Sequence, residues 1–339
     1  MSHPKEGSYL LTEDLGEKME ALRHLGFKTP DPHGRFFEDI QKDLAANLQR
    51  AIGDENRVVR LKMRDIADEV LGKISELYGD DVFVVSTCPE IAHPSYGASV
   101  EINRLVDSYG TPIGLGPRPG HPDLPTQFDN IKRQSASKGQ DVRVVVAEDG
   151  VFKGETMTSV VKGLQKAGVN VVGVVAGFSY DQTQLPLLER DLDIKIDVVE
   201  EFGPVVDWVP DHDFLPFTPG CGKVLGVKFG LRFSPYYSKD LATYCMPYIS
   251  PYSPVSKWAT IPEKNVESFS KSCRLLALGI FQELEKLNGG TIEIDRILHS
   301  KQRVSIPIPL DVPGEEVGYR FPEKKSRVTA VLSRETPKI

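Results

Sequence analysis

Two stretches near the N-terminus carry apolar residues at helical spacing: Phe36, Ile40, Leu44, Leu48 and Ile52, then Ile66, Val70, Ile74 and Leu77. Steps of three and four residues place such side chains on one face, so helices are predicted over 36–52 and 61–78, the second stopped by Gly79-Asp80-Asp81. The pattern then changes to short strand-like runs at 82–86, 142–147, 171–176 and 194–199. Residues 171–176, without a polar side chain on either alternating face, fit a central parallel strand covered on both sides. Helical patterns at 157–167 and 186–192 separate the later runs; Pro186 falls in a first turn, where its missing N–H costs nothing. Residues 100–109 are expected to form a helix capped at Gly110, and 112–116 a strand. The polar stretch 118–140, with Pro119, Pro122 and Pro125, is expected to be a long loop or an excursion over the sheet edge. The first thirty residues, broken by Pro30, Pro32 and Gly34, are expected to wrap a surface or stay partly mobile. Strand and helix alternation from 82 to 200 predicts an α/β fold with a parallel sheet and right-handed crossovers.

Beyond about 205 the pattern changes again. Prolines recur among aromatics such as Phe214, Phe217, Tyr248, Tyr252 and Trp258, a density that must pack under the chain or around a ligand. A long helix is predicted over 266–287, ended by Asn288-Gly289-Gly290. Strands and turns are expected through Ile292, Ile294, Val304, Ile306, Ile308 and 328–332. The chain divides into an N-terminal helical extension (1–59), an α/β core (60–205) and an aromatic-rich α+β C-terminal region (206–339).

Composition narrows the class. The chain has 339 residues, 40% hydrophobic and 26% charged, ordinary values for a globular protein with a large core. A net charge of −7 argues against non-specific nucleic-acid binding. Four cysteines (Cys88, Cys221, Cys245 and Cys273) lack metal-ligand spacing and read as reduced thiols in a cytoplasmic protein. No run is long enough to cross a bilayer, and Met1 to Glu6 lacks a hydrophobic signal core.

The candidate chemistry concentrates at 144–157, reading V-V-V-A-E-D-G-V-F-K-G-E-T-M. A buried strand leads into Glu148-Asp149, then a loop with Gly150 and Gly154, then a helix. A helix N-terminus after a strand aims N–H groups and a positive dipole end at an anion. Without a ligand, the same pattern is a buried strand, an acidic loop and a helix capped by Thr156 or Thr158.

This stretch resembles the 5-phosphoribosyl-1-pyrophosphate (PRPP) motif of type I phosphoribosyltransferases: a hydrophobic strand, two acidic residues, then a T-G-x-T loop. Glu148, Asp149, Gly154 and Thr156 fall on that pattern. Lys153 stands where the family usually has Thr, offering a phosphate a point charge instead of a hydroxyl. The resemblance covers about residues 60–205. It implies a type I phosphoribosyltransferase-like core and transfer of phosphoribosyl from PRPP to a small-molecule acceptor, with magnesium on the pyrophosphate. It also implies that Glu148 and Asp149 hold the ribose hydroxyls and that Gly150, Lys153, Gly154, Glu155, Thr156 and Met157 cradle the 5′-phosphate. A homodimer is the family's frequent state.

By position in the same family, Thr87 and Cys88, in the loop 86–90, would contact pyrophosphate. Arg118, Lys132 or Arg133 would close over it; each also reads as a solvated surface charge. Asp207 and Trp208 follow the last core strand, where the family often recognises the acceptor base; they also read as a solvated turn and a core anchor. Three carboxylates and His212 within 207–213 match no metal-ligand spacing, and 218–223 reads as a turn. Two other readings remain: a non-catalytic regulatory protein that binds PRPP or a nucleotide, and a hydrolase using Asp149 with magnesium.

Overall fold

The structure, a computed structural model, describes residues 7–88, 90–91, 97–139, 141–180, 184–238, 242–297, 305–307 and 325–335. Pro89, Gln140, Val304, Ile308 and the first six residues lie outside them.

In chain order the elements begin with β1 (Gly7–Glu13), α1 (Leu15–Met19), α2 (Ala21–His24), α3 (Arg35–Ile52), β2 (Asn56–Lys62) and α4 (Met63–Tyr78). There follow β3 (Phe83–Ser86), β4 (Gly97–Ser99), β5 (Ile102–Val106), β6 (Pro112–Pro117), α5 (Leu124–Ala136) and β7 (Val144–Val151). The core closes with α6 (Glu155–Ala167), β8 (Val171–Ser179), α7 (Leu185–Leu192) and β9 (Lys195–Glu201). Beyond it lie β10 (Val205–Pro210), β11 (Lys223–Phe229), β12 (Arg232–Pro235), β13 (Tyr244–Met246), α8 (Glu263–Asn288), α9 (Ile294–Ile297), β14 (Ile306–Pro307) and α10 (Val328–Glu335).

The core is an α/β layer around a five-stranded sheet of order β4-β3-β7-β8-β9, in which every pairing is parallel. Alternate residues of β7 leave opposite faces. Val145 and Ala147 pack with Ile66, Val70 and Ile74 of α4. Val144 and Val146 pack with Phe128 and Ile131 of α5 and Val160, Val161 and Leu164 of α6. Both faces are therefore covered, as the unbroken apolar runs require, each buried valine contributing about 1.5–3 kcal/mol. From β3 the chain goes first to β4 on one side and later to β7 on the other. The gap between the carboxyl ends of β3 and β7 is thus the topological switch point, where open α/β sheets bind ligands.

Several local expectations change. Residues 102–106 are a strand, not a helix: β5 pairs antiparallel with β6 and parallel with β11, so non-local pairing overrides a helix-compatible pattern. The expected loop at 118–140 contains α5, whose N-cap Asp123 accepts the Thr126 N–H at 3.0 Å, with a proline in the first turn. The N-terminal segment is interior: Tyr9, Leu10 and Leu11 are fully buried, and β1 lies between β10 and β2 in a second, parallel sheet. Residues 328–332 are helical; Val328, Val331 and Leu332 fall on one stripe and are buried against α8.

A third sheet, β14-β13-β11-β5-β6 with β12 beside β11, carries the aromatic-rich region. Parallel pairing of Val224 with Leu105 sets Lys223 and Arg104, one residue earlier on each strand, side by side. Among the described residues no helix is long and apolar enough to cross a membrane.

Candidate active site

The switch point opens into a cleft of about 460 Å³ lined by the ends of β3, β7 and β10, the first turn of α6, the start of β11 and the segment around Tyr248 and Trp258. That volume suits a small-molecule site.

Glu148 and Asp149 lie within β7, which runs on to Val151 instead of ending at Ala147 as the sequence suggests. The acidic pair therefore sits just past the end of β3, where β7 is still paired with β8 (Glu148 with Ala176), a more rigid mount than a loop. Thr87 at the end of β3 donates its hydroxyl to Glu148 Oε2 at 2.5 Å, bridging the two strands at the switch point. Burial pushes the Glu148 carboxyl well above its ordinary range, and the neighbouring Asp149 adds to the push; Thr87 and Arg118 oppose it. Burial raises Asp149 as well, against the Gly150 N–H donated to Asp149 Oδ1 at 2.9 Å. Two carboxyls held up by burial form a polar floor that seeks donors or a cation.

Gly150 is fixed by packing: a Cβ there would lie 2.7 Å from the Phe178 ring. Phe152 stacks at a tilt on Tyr180, ring centroids 4.1 Å apart, and Lys153 is exposed. Gly154 is the N-cap of α6, at φ 68°, with no side-chain cap hydrogen bond. Neither Thr156 nor Thr158 caps the helix; Glu155, Thr156 and Met157 form its first turn and line the cleft, and helix geometry leaves their N–H groups without intrahelical acceptors. Glu155 would repel an anion there, but Arg104 pairs with it at 2.6 Å.

Thr87, Cys88 and Arg118 line the same cleft. Arg118 donates from Nε to the Ile102 carbonyl at 3.1 Å and sits 3.6 Å from Glu101. Its guanidinium pKa is raised: burial opposes the charge, but Glu101, Glu90, Cys88 and Asp149 outweigh it. Cys88 donates to Glu90 Oε2 at 3.0 Å, and burial pushes its thiol well up, which suits a structural thiol better than a nucleophile. Lys132 and Arg133 are outside the cleft lining, on α5; Arg133 pairs with Asn130 of its own helix.

Asp207 and Trp208 reach the cleft from the middle of β10. Asp207 accepts the Trp208 and Thr260 backbone N–H groups at 2.8 and 2.6 Å. Trp208 donates from Nε1 to Thr12 at 3.3 Å and meets Phe178 edge-on, centroids 4.8 Å apart. Arg104, Asp213, Lys223, Tyr248, Lys257 and Trp258 also line the cleft. Asp213 belongs to the segment 207–213, whose carboxylates the family resemblance offers to the acceptor base, and Tyr248 and Trp258 belong to the dense aromatics after 205. Arg104, Lys223 and Lys257 carried no signal in the sequence, because only the pairing of β11 with β5 and the fold of the C-terminal segment bring them in.

Beneath the cleft, Asp14, Asp211 and His212 place ligand-type atoms within 4.8 Å of one another. Protein groups engage them: His212 Nδ1 meets Asp14 at 2.5 Å, Lys18 sits 3.4 Å from Asp14 and 2.6 Å from Glu90, and Gln41 donates to Asp211 at 2.8 Å. The cluster thus ties the N-terminal segment to the loop after β3.

No family model matches the chain, and no curated protein matches it. Among solved structures, it is similar to a UMP synthase from Leishmania donovani (17% identity, TM-score 0.26), covering 53% of this chain and 42% of that one. An adenine phosphoribosyltransferase from Rhodothermus marinus (13% identity, TM-score 0.27) is covered over 99% of its length by 48% of this chain. An orotate phosphoribosyltransferase from Mycobacterium tuberculosis in complex with inorganic phosphate (15% identity, TM-score 0.25) is covered over 95% of its length by 56% of this chain.

Proposed function

We propose that this protein binds PRPP and transfers its 5-phosphoribosyl group to a small nitrogenous acceptor, releasing pyrophosphate. One observation carries the reading: the uncapped N-terminus of α6 and the pair of buried Glu148 and half-buried Asp149 open into a single cleft at the sheet's switch point. A 5′-phosphate fits the α6 N–H groups, with Lys153 nearby as a mobile counter-charge. The ribose hydroxyls donate to Glu148 and Asp149, once these carboxyls have ionised. Thr87 and Arg118 flank the side on which pyrophosphate leaves.

In the transfer, the acceptor nitrogen's lone pair forms the N–C1 bond while the C1–O electrons depart with pyrophosphate. The acceptor's N–H proton passes to water. The protein contributes by holding C1 in line between nucleophile and leaving group, and by aiming fixed charges at the positive ribose ring and the departing anion. Two adjacent carboxyls on one wall and, among the described residues, no all-protein cage in the cleft suit magnesium, which commonly binds through one or two carboxylates and substrate phosphates and would neutralise the leaving group. Four buried free thiols fit a reducing, cytoplasmic setting.

The test is pyrophosphate release from PRPP and magnesium across a set of nitrogen heterocycles. Release that depends on a particular heterocycle is expected. PRPP binding without release under every acceptor would indicate a sensor, and ribose phosphate formed without any acceptor would indicate a hydrolase.

A further inference from the structure

Lys223, the first residue of β11, differs from Arg104, Arg118 and Lys257, which also line the cleft. Arg104 is paired with Glu155 at 2.6 Å, and Arg118 is braced by Glu101 at 3.6 Å. Lys257 donates to the Tyr109 carbonyl at 3.1 Å and the Thr111 hydroxyl at 3.3 Å. Among the described residues, no carboxylate lies within ion-pair distance of Lys223 and no acceptor takes a hydrogen bond from it. Its Nζ instead stands 5.2 Å from the Tyr248 ring centroid and 5.5 Å from that of Trp258. These rings lie 21° from parallel, centroids 6.0 Å apart, so together they hold the ammonium in place without neutralising it.

The charges facing Lys223 are Asp213, Arg104 and Arg118. Burial pushes its pKa below the usual lysine range; Asp213 opposes that, while the two arginines reinforce it. Asp213 is itself fixed, accepting the Gly222 N–H at 2.7 Å and lying 3.5 Å from His212 Nε2. A partly desolvated cation without a paired anion is unfavourable in the empty protein and becomes favourable when a ligand supplies the anion.

On the reading above, two anions could meet it: the pyrophosphate of PRPP, or a charged group on the acceptor. On that reading, Thr87, Cys88 and Arg118, which line the cleft beside Glu148 and Asp149, make the pyrophosphate side. Lys223 belongs to the third sheet and the aromatic C-terminal segment, a separate wall of the cleft. We propose that Lys223 is the anion receptor of the acceptor half, so that the acceptor is a nitrogen heterocycle bearing a carboxylate or similar oxyanion. This rests on the phosphoribosyl-transfer reading. Asp213, fixed beside Lys223, would accept a ring N–H, so the two residues together select a heterocycle that is acidic at one edge and a donor at another.

The experiment uses matched probes that carry a ring N–H and differ in the charge of one substituent: pyrazole-3-carboxylate against its carboxamide, and imidazole-4-carboxylate against its carboxamide. Each is titrated calorimetrically into the full-length protein, with and without PRPP and magnesium. The carboxylates are expected to bind at least about tenfold more tightly, as a charge-assisted contact implies. Lys223→Met should erase that preference while leaving PRPP affinity within about twofold. Equal affinity for carboxylate and carboxamide overturns the proposal, and so does a large loss of PRPP affinity in Lys223→Met, which would assign the lysine to pyrophosphate. Carboxylate preference that survives Lys223→Met also overturns it. If the protein fails to bind PRPP, the functional reading fails alone, because the probe comparison without PRPP still reports on Lys223.

Discussion

The Thr87 hydroxyl donates to the Glu148 carboxylate at 2.5 Å, joining the end of β3 to the acidic pair of β7 across the switch point. This contact orients Glu148 and partly offsets its burial. Thr87→Val keeps the side-chain shape and removes the donor. A buried acceptor left without its partner costs about 1–3 kcal/mol. PRPP binding should weaken by about tenfold, and the pH at which binding is half-maximal should rise; calorimetric titrations from pH 5 to 9 check both.

Glu148 and Asp149 predict opposite pH trends for binding and stability. Both carboxyls are raised by burial above unfolded values of about 4. The folded protein therefore holds protons that the unfolded chain releases, and the stability this pair contributes is fully present below the unfolded values and lost as pH rises through the folded ones. Ribose hydroxyls need the ionised forms, so PRPP affinity should increase over that same rise. Thermal unfolding without ligand and PRPP titration, run in the same buffers, should slope in opposite directions.

Gly154→Ala should damage the phosphate site. Gly154 has φ 68°, and a Cβ would lie 2.6 Å from Leu188 Cδ1. A left-handed non-glycine residue costs about 1–2 kcal/mol before any steric displacement. The expected result is a lower melting temperature together with weaker PRPP binding, since the first turn of α6 must shift. An unchanged affinity for PRPP would place the phosphate elsewhere.

Lys223→Met should leave the ligand-free protein as stable as the wild type or more so. Burial disfavours the ammonium in the folded state, so its pKa is lowered and the charged lysine costs stability at neutral pH. Methionine fills a comparable volume without that cost. Thermal unfolding at pH 7 measures it, and a melting temperature several degrees lower would mean that the cation–π contacts hold the fold together.

Much of the core was legible because its signals are local. Val171 to Ala176 has no polar side chain on either face, so a doubly covered strand followed from the side chains alone, and Val144 to Ala147 read as a buried strand beside it. The acidic pair stood out for the same reason, as charge placed directly after a buried run. Other features depend on partners distant in sequence. Tyr9 and Leu11 are interior because β1 pairs with residues near 58 and near 208, which no local pattern encodes. Residues 102–106 alternate weakly and become a strand through β6 and β11. The α5 start, by contrast, was readable: Asp123 with Pro125 just inside the helix is an N-terminal signal that the surrounding prolines obscured. Lys223 looked like the end of a turn, and only its register beside Arg104 brings it into the cleft.

The most direct test of the central claim is a calorimetric titration of PRPP with magnesium into the wild-type protein and Asp149→Asn, with the fold of each checked by thermal unfolding. Asp149 lines the cleft, and the asparagine is close to isosteric, so packing should survive while a hydroxyl-binding carboxylate is lost. The account predicts saturable PRPP binding by the wild type and at least about tenfold weaker binding by the variant. Equal affinity in the two proteins, or no PRPP binding by a folded wild type, would contradict it.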